Sequence, residues 1–197
     1  MNATELFDLS KKNRQAAMKV VADSRIVEIW EGVGATVHMV GSVKSGLIMK
    51  NRDVDFHVYS GDPMTDKSFA AIAVLEKNPA VQDILFKNLL DTEEECLEWH
   101  IGYQDSDGKL WKIDVIHIRK GSAYDGVIEK TTDAIIGKLT PETREAILRI
   151  KYDMPKGMKT MGIEIYYAVL ASGVRNFEEF ARWKNANPDP NLLGWIP

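Results

Sequence analysis

Two aspartates two residues apart, Asp53 and Asp55, lie in Asp53-Val54-Asp55-Phe56, among apolar neighbours. In an extended strand, residues two apart share a face, so the two carboxylates stand side by side. Unpaired, such acids repel each other and resist desolvation. Divalent cations remove both penalties. Hard Mg²⁺ takes a few carboxylate oxygens together with substrate phosphates. Two such ions roughly 3.5–4 Å apart activate an attacking hydroxyl and stabilise a leaving pyrophosphate. That chemistry calls for a third acid on a neighbouring strand. Asp114 meets the requirement: it is a lone acid in Ile113-Asp114-Val115-Ile116, where an acid has no structural reason to be.

Upstream lies Gly41-Ser42-Val43-Lys44-Ser45-Gly46-Leu47. A glycine-containing turn from strand to helix exposes backbone N–H groups, and a helix start favours anions. Gly41, Ser42 and Lys44 are therefore candidates for holding a triphosphate. The simpler reading of Gly41-Ser42 is a plain chain reversal. Lys44 and Arg52 read equally well as solvated surface charges. His57 and Lys112 share faces with Asp55 and Asp114 by strand period, although a lone strand histidine is more often structural. Lys156 and Lys159 fall in a loop and read mainly as exposed. Tyr166, Tyr167, Phe177, Phe180 and Trp183 recur at helical spacing and read as core rather than as a base-stacking platform. Cys96 reads as a small buried hydrophobe.

The order Val40-Gly41-Ser42, then Gly46-Leu47, then Asp53-Val54-Asp55-Phe56, then a distant strand Asp114 resembles the polymerase-beta-like nucleotidyltransferase superfamily. The resemblance runs roughly from Thr36 to Ile118. It implies an α/β (α+β) fold: a mixed β-sheet flanked by helices, followed by a C-terminal helical segment. It implies an enzyme that moves a nucleoside monophosphate from a nucleoside triphosphate, with ATP expected, to a hydroxyl, releasing pyrophosphate. Two Mg²⁺ ions, replaceable by Mn²⁺, are implied. Gly41 and Ser42 would bind the triphosphate. Asp53 and Asp55 would hold both metals. Asp114 would hold one metal and orient or deprotonate the acceptor.

Three elements must position these residues. Thr36–Val40 is β-branched and apolar and predicts a strand ending at Gly41-Ser42. Val54–Tyr59 predicts a second strand. Leu97–Tyr103 and Leu110–Ile118 alternate around Asp105-Ser106-Asp107-Gly108, which predicts an antiparallel hairpin carrying Asp114. Val81–Leu90 fits strand or helix, with strand preferred, and leaves the strand order open. Helices are expected over the first thirty residues, with a second short one from Ile26 to Trp30, and over 67 to 78. After Thr140, which reads as a cap with Pro141 at the first position, helices are expected to Pro155, from Met161 to Ala171 and from Phe177 to Lys184. The expected division is 1–35 for N-terminal helices, 36–120 for the nucleotidyltransferase core, and 121–197 for a helical region and an irregular tail.

The composition bounds the function. The 197 residues, 45% hydrophobic and 27% charged, describe an ordinary globular chain. Its 25 basic and 29 acidic side chains leave a net charge of -4, which weighs against contact with long nucleic acid. A single cysteine excludes an internal disulfide and a multi-cysteine zinc site, and fits a reducing compartment. The N-terminal residues have no charged start before an apolar core, and no apolar run approaches the ~20 residues that span a bilayer. A cytoplasmic enzyme without membrane contact is expected, its acceptor a small molecule or a protein side chain. Two alternatives stand beside it. One is a non-catalytic regulatory protein on the same fold, such as a toxin-neutralising partner. The other is a synthase of a nucleotide messenger.

Overall fold

A computed structural model describes residues 1–188 and 190–197. The chain begins with α1 (Ala3–Ser24) and α2 (Ile26–Gly32), separated where Arg25 takes a left-handed turn at φ 55°. Asn2 caps α1 by accepting from the Glu5 N–H, and the Glu5 carboxylate accepts from the Asn2 N–H. Then come β1 (Thr36–Val40), the single turn α3 (Gly41–Ser45), β2 (Asp53–Ser60) and α4 (Met64–Leu75). The antiparallel run β3 (Val81–Leu89), β4 (Cys96–Gln104) and β5 (Leu110–Arg119) follows. Four helices complete the described chain: α5 (Val127–Lys138), α6 (Pro141–Asp153), α7 (Gly162–Leu170) and α8 (Phe177–Ala186).

The five strands lie in the order β1-β2-β5-β4-β3. Only β2 and β5 are parallel; the other neighbours are antiparallel, so the sheet is mixed, as expected. Val81–Leu89 is indeed a strand, and it forms an outer edge. The β4–β5 hairpin turns where the sequence reading put it. Asp105 Oδ1 accepts from the N–H groups of Asp107 and Lys109, and Gly108 supplies a positive φ of 75°. Helix α4 begins and ends about one turn earlier than the expected 67 to 78. Its early start follows Pro63, whose fixed φ suits a helix entry. Helix α5 was not foreseen: its sequence mixes Thr131, Thr132 and Gly137 among the apolar positions. Thr140 caps α6 as expected, accepting from the Thr143 N–H. The irregular tail includes Asp189, which lies outside the described residues.

The sheet's alternation separates two environments. Val54, Phe56, Val58, Trp99, Ile101, Ile113 and Val115 point to one face. There they pack against Ala17 and Val20 of α1, Ile26 and Trp30 of α2, and Ala71, Ile72 and Leu75 of α4. A second cluster joins Leu6 of α1 to Ile147, Leu148 and Ile150 of α6, Ile165 and Val169 of α7, and Phe180 of α8. The cleft lies between the opposite face of the sheet and this helical cluster.

Candidate active site

Strand period and register bring the acids together. Asp53 and Asp55 point away from the Val54 and Phe56 core, as alternation demands. On the parallel neighbour, Asp114 stands directly opposite Asp55, and Lys112 opposite Asp53. Val40, the last residue of β1, pairs with Asp55 on the other side, so the following turn is delivered next to the carboxylate. Gly41 takes φ +68° and lies so close to Asp55 that a Cβ there would run into the carboxylate. Only glycine fits that position without strain. The Ser45 hydroxyl donates to the Gly41 carbonyl at 3.0 Å and fixes the turn.

Gly41, Ser42, Asp53, Asp55 and Asp114 all line a single cavity of about 1160 Å³. Lys44 does not. It lies on a separate cleft, where its ammonium pairs with Asp133 of α5 at 2.7 Å. The structure thus does not bring Lys44 together with Gly41 and Ser42 on this cavity. The physical reason is helical rotation: α3 turns about 100° per residue, so Lys44 points to nearly the opposite side from Ser42. Lys156 lines the cavity, whereas Arg52 and Lys159 do not.

The acids are held in unequal ways. Burial pushes the Asp55 carboxyl up to about 7, reinforced by the charges of Asp53 and Asp114 and opposed by Lys151 and Lys112. Burial also raises Asp53, with Lys151 as its main opposing charge. Asp53 Oδ1 is buried and has no hydrogen-bond partner. Asp114 has its own partners on the sheet: its Oδ1 accepts from His100 Nδ1 at 2.6 Å and forms an ion pair with Lys112 Nζ at 3.0 Å. Among the described residues, no three His, Cys, Asp or Glu side chains stand close enough together to enclose an ion. The chemistry of the donor set nevertheless fits hard cations. It offers an orphaned buried carboxylate oxygen, a second carboxylate whose ionisation is resisted by burial and by the neighbouring acids, and a third directly across the ladder.

Residues beyond the sequence reading complete the cleft. Lys151 of α6 donates to the Leu47 carbonyl and the Tyr166 hydroxyl, both at 2.9 Å, and is thereby tethered near the acids. Tyr166, which the sequence reading assigned to the core, is 7% exposed yet lines the cavity. Both residues belong to helices whose placement depends on tertiary packing, so neither carries a local signal. His57 lines the cavity as its shared face with Asp55 anticipated. Its Nδ1 lies 3.7 Å from Glu129 of α5, and burial lowers its pKa from the usual imidazole value. The Tyr59 hydroxyl donates to Glu129 at 2.8 Å and closes this end of the site.

No family model matches the sequence, and no curated protein does. Solved structures do match the fold. A chain of the non-canonical poly(A) polymerase complex GLD-2–GLD-3 has a TM-score of 0.60 at 10% identity, over 89% of this chain and 61% of that one. Cid1 poly(U) polymerase with MgATP bound has a TM-score of 0.58 at 15% identity, over 85% of this chain and 53% of that one. The structure of the GLD-2/RNP-8 complex matches at 0.56 and 10% identity, over 95% and 72%. This chain thus spans between half and two-thirds of the length of the first two. At these identities the likeness is one of fold: the mixed five-stranded sheet and flanking helices of this chain are similar to the fold of these poly(A) and poly(U) polymerase structures.

Proposed function

We propose that this chain is a metal-dependent nucleotidyltransferase that moves a nucleoside monophosphate from a nucleoside triphosphate to a hydroxyl and releases pyrophosphate. The observation that carries the reading is the placement of Asp53, Asp55 and Asp114 on one face of adjacent parallel strands, at the floor of a large cavity. Asp53 and Asp55 would hold both Mg²⁺ ions (or Mn²⁺), and Asp114 one of them. When bound, these ions neutralise triphosphate charge and strengthen the attacking oxygen.

The chain's own groups do the rest. Gly41, having no side chain, lets the turn close against the Asp55 carboxylate, and Ser42 beside it would offer a phosphate a hydroxyl and a backbone N–H. Lys151 adds a tethered positive charge on the helical side of the cleft. Asp114 faces the acceptor and takes the direction of its hydroxyl proton at Oδ2, the oxygen left free when His100 holds Oδ1. The cavity's apolar wall, including Ile135, Ile163 and Leu192, suits a nucleobase, with ATP the expected donor.

The acceptor is proposed to be a hydroxyl on a small molecule or a protein side chain, in keeping with a net charge of -4. Among the described residues no helix is long and apolar enough to cross a membrane. A cytoplasmic setting is part of the proposal and rests on the single free, buried Cys96. The three intact acids favour catalysis over a purely regulatory role.

The test is incubation with each labelled nucleoside triphosphate, Mg²⁺ and either a metabolite extract or a short RNA, followed by mass spectrometry. A monophosphate adduct on a small molecule or on protein is expected. Extension of the RNA alone would replace the acceptor class, and no adduct in any arm would favour the non-catalytic reading.

A further inference from the structure

Strand β3 closes the sheet on one side, and among the described residues no strand lies beyond it. It is nine residues long and contains no proline. An edge of this length leaves a row of backbone donors and acceptors open to another chain. Apolar groups are exposed on both of its faces. Leu85 is 55% exposed on the cleft face, and Phe69 of α4, stacked edge-on against Phe86 at 5.0 Å, is 47% exposed on the other.

The sequence of β3 is complementary to itself. When two antiparallel copies are related by a two-fold axis through Leu85, each residue meets the one equally far on the other side. Asp83 then faces Lys87 of the second copy, and Lys87 faces its Asp83. Ile84 faces Phe86, and Gln82 faces Asn88. A two-fold axis perpendicular to the sheet keeps faces matched, so the axis must pass through a residue rather than between two. Moving it to Ile84 would set Asp83 against Leu85; moving it to Phe86 would set Lys87 against Leu85. Only Leu85 gives acid on base and apolar on apolar. The irregular register between Val81 and Asp83 limits regular pairing to the central residues from Asp83 to Lys87. Lys87 already reaches Glu98 on β4 at 2.8 Å and is half exposed, so its ammonium is positioned to serve a second carboxylate.

We propose that this edge is a homodimer interface: two copies join β3 to β3 about an axis at Leu85, making one continuous sheet across both. The occupant is a second copy because the charge pattern of the edge matches its own reverse. Opposite charges directly across a ladder stabilise pairing, and like charges oppose it. The Asp83–Lys87 pair occurs twice per dimer, so one substitution per chain changes both.

The test is sedimentation of the full chain at roughly 1 to 200 μM, a range suited to a small interface. Wild type is expected to pass from monomer to dimer within it. Asp83→Lys and Lys87→Asp should each weaken the dimer by at least about tenfold, because each sets like charges opposite one another. The double swap, Asp83→Lys with Lys87→Asp, should restore it. Thermal midpoints of all four proteins verify folding, and Leu85→Lys, which places two ammonium groups on the axis, gives an independent disruption. Wild type that stays monomeric throughout overturns the proposal. So does a dimer insensitive to both charge reversals, which would place the interface elsewhere, and so does failure of the double swap to recover association when its midpoint is normal.

Discussion

The two faces of β2 make an instructive comparison. Val54, Phe56 and Val58 are almost wholly buried among hydrocarbon side chains. Asp53, Asp55 and His57 alternate with them on the same strand and are also largely out of water, where burial raises both carboxyls and leaves Asp53 Oδ1 without a hydrogen-bond partner. One face lowers the free energy of the fold by removing apolar surface from water. The other raises it by bringing carboxylates together in a site where water is scarce. A strand that maintains both at alternate positions concentrates a cost on the face where a ligand can relieve it.

Substitutions on the two faces should therefore have opposite signatures. The largest effect is expected on the core face. Phe56→Ala should cost roughly 3–5 kcal/mol of stability by leaving a cavity, while the folded fraction keeps its nucleotide affinity. Urea unfolding with and without nucleoside triphosphate and Mg²⁺ measures both. A loss of affinity as large as the loss of stability would show that the two faces are not separable.

The next effect is on pH. Burial and neighbouring acids raise the folded-state pKa of Asp55 to about 7, from 3.8. A raised acid binds its proton more tightly when folded, so its unfavourable contribution is absent below pH ~4 and complete above pH ~7. Metal-free protein should lose stability through this window, by an amount on the order of 2–4 kcal/mol. His117 acts in the opposite sense. Its burial, against Trp30, and the nearby charge of Lys67 hold its pKa down at about 4, so protonation destabilises the fold as pH falls from 6.5 toward 4. The difference between wild type and Asp55→Asn at each pH isolates the Asp55 contribution. A difference that is flat from pH 4 to 7.5 would contradict the burial of that carboxyl.

Gly41→Ala should act on the cleft at a cost of about 1–3 kcal/mol, through strain at positive φ and contact with Asp55. It should weaken triphosphate binding more than it lowers the thermal midpoint, since the turn and carboxylate must both shift. Calorimetric titration of a non-hydrolysable triphosphate checks this. The smallest effect is expected at Lys44. Its partner Asp133 is largely exposed, and Lys44→Ala should change stability by under about 1 kcal/mol and leave triphosphate affinity nearly unchanged. A tenfold loss of affinity in that variant would return Lys44 to the phosphate site.

The legibility of these features follows their range. The period of two along a strand places Asp53 and Asp55 on one face from sequence alone, and the Asp-Ser-Asp-Gly turn places Asp114 on a hairpin strand. The parallel β2–β5 ladder that sets Asp55 across from Asp114 is a long-range pairing and leaves no local trace. The single helical turn after Ser42 rotates Lys44 away from the cavity, and a turn so short has no periodicity to read. Helix α5 escaped notice because its apolar positions are interrupted by Thr131, Thr132 and Gly137, although Glu129 on it closes the site. Lys151 and Tyr166 look like ordinary helix residues until α6 and α7 are packed together.

On the proposed function, the face bearing Asp53, Asp55 and Asp114 is built for cations and nucleotide rather than for stability. The thermal midpoint of Asp55→Asn against wild type tests it most directly, measured at pH 7.5 first without metal and then with saturating Mg²⁺ and ATP. Without metal the variant should match or exceed wild type, because it removes a buried charge among acids. With both ligands wild type should rise, by about 2.7 kcal/mol of added stability at a hundredfold excess over the dissociation constant, and the variant should barely respond. A variant that is markedly less stable without metal, yet gains as much from Mg²⁺ and ATP as wild type does, would make Asp55 a structural acid and contradict the claim.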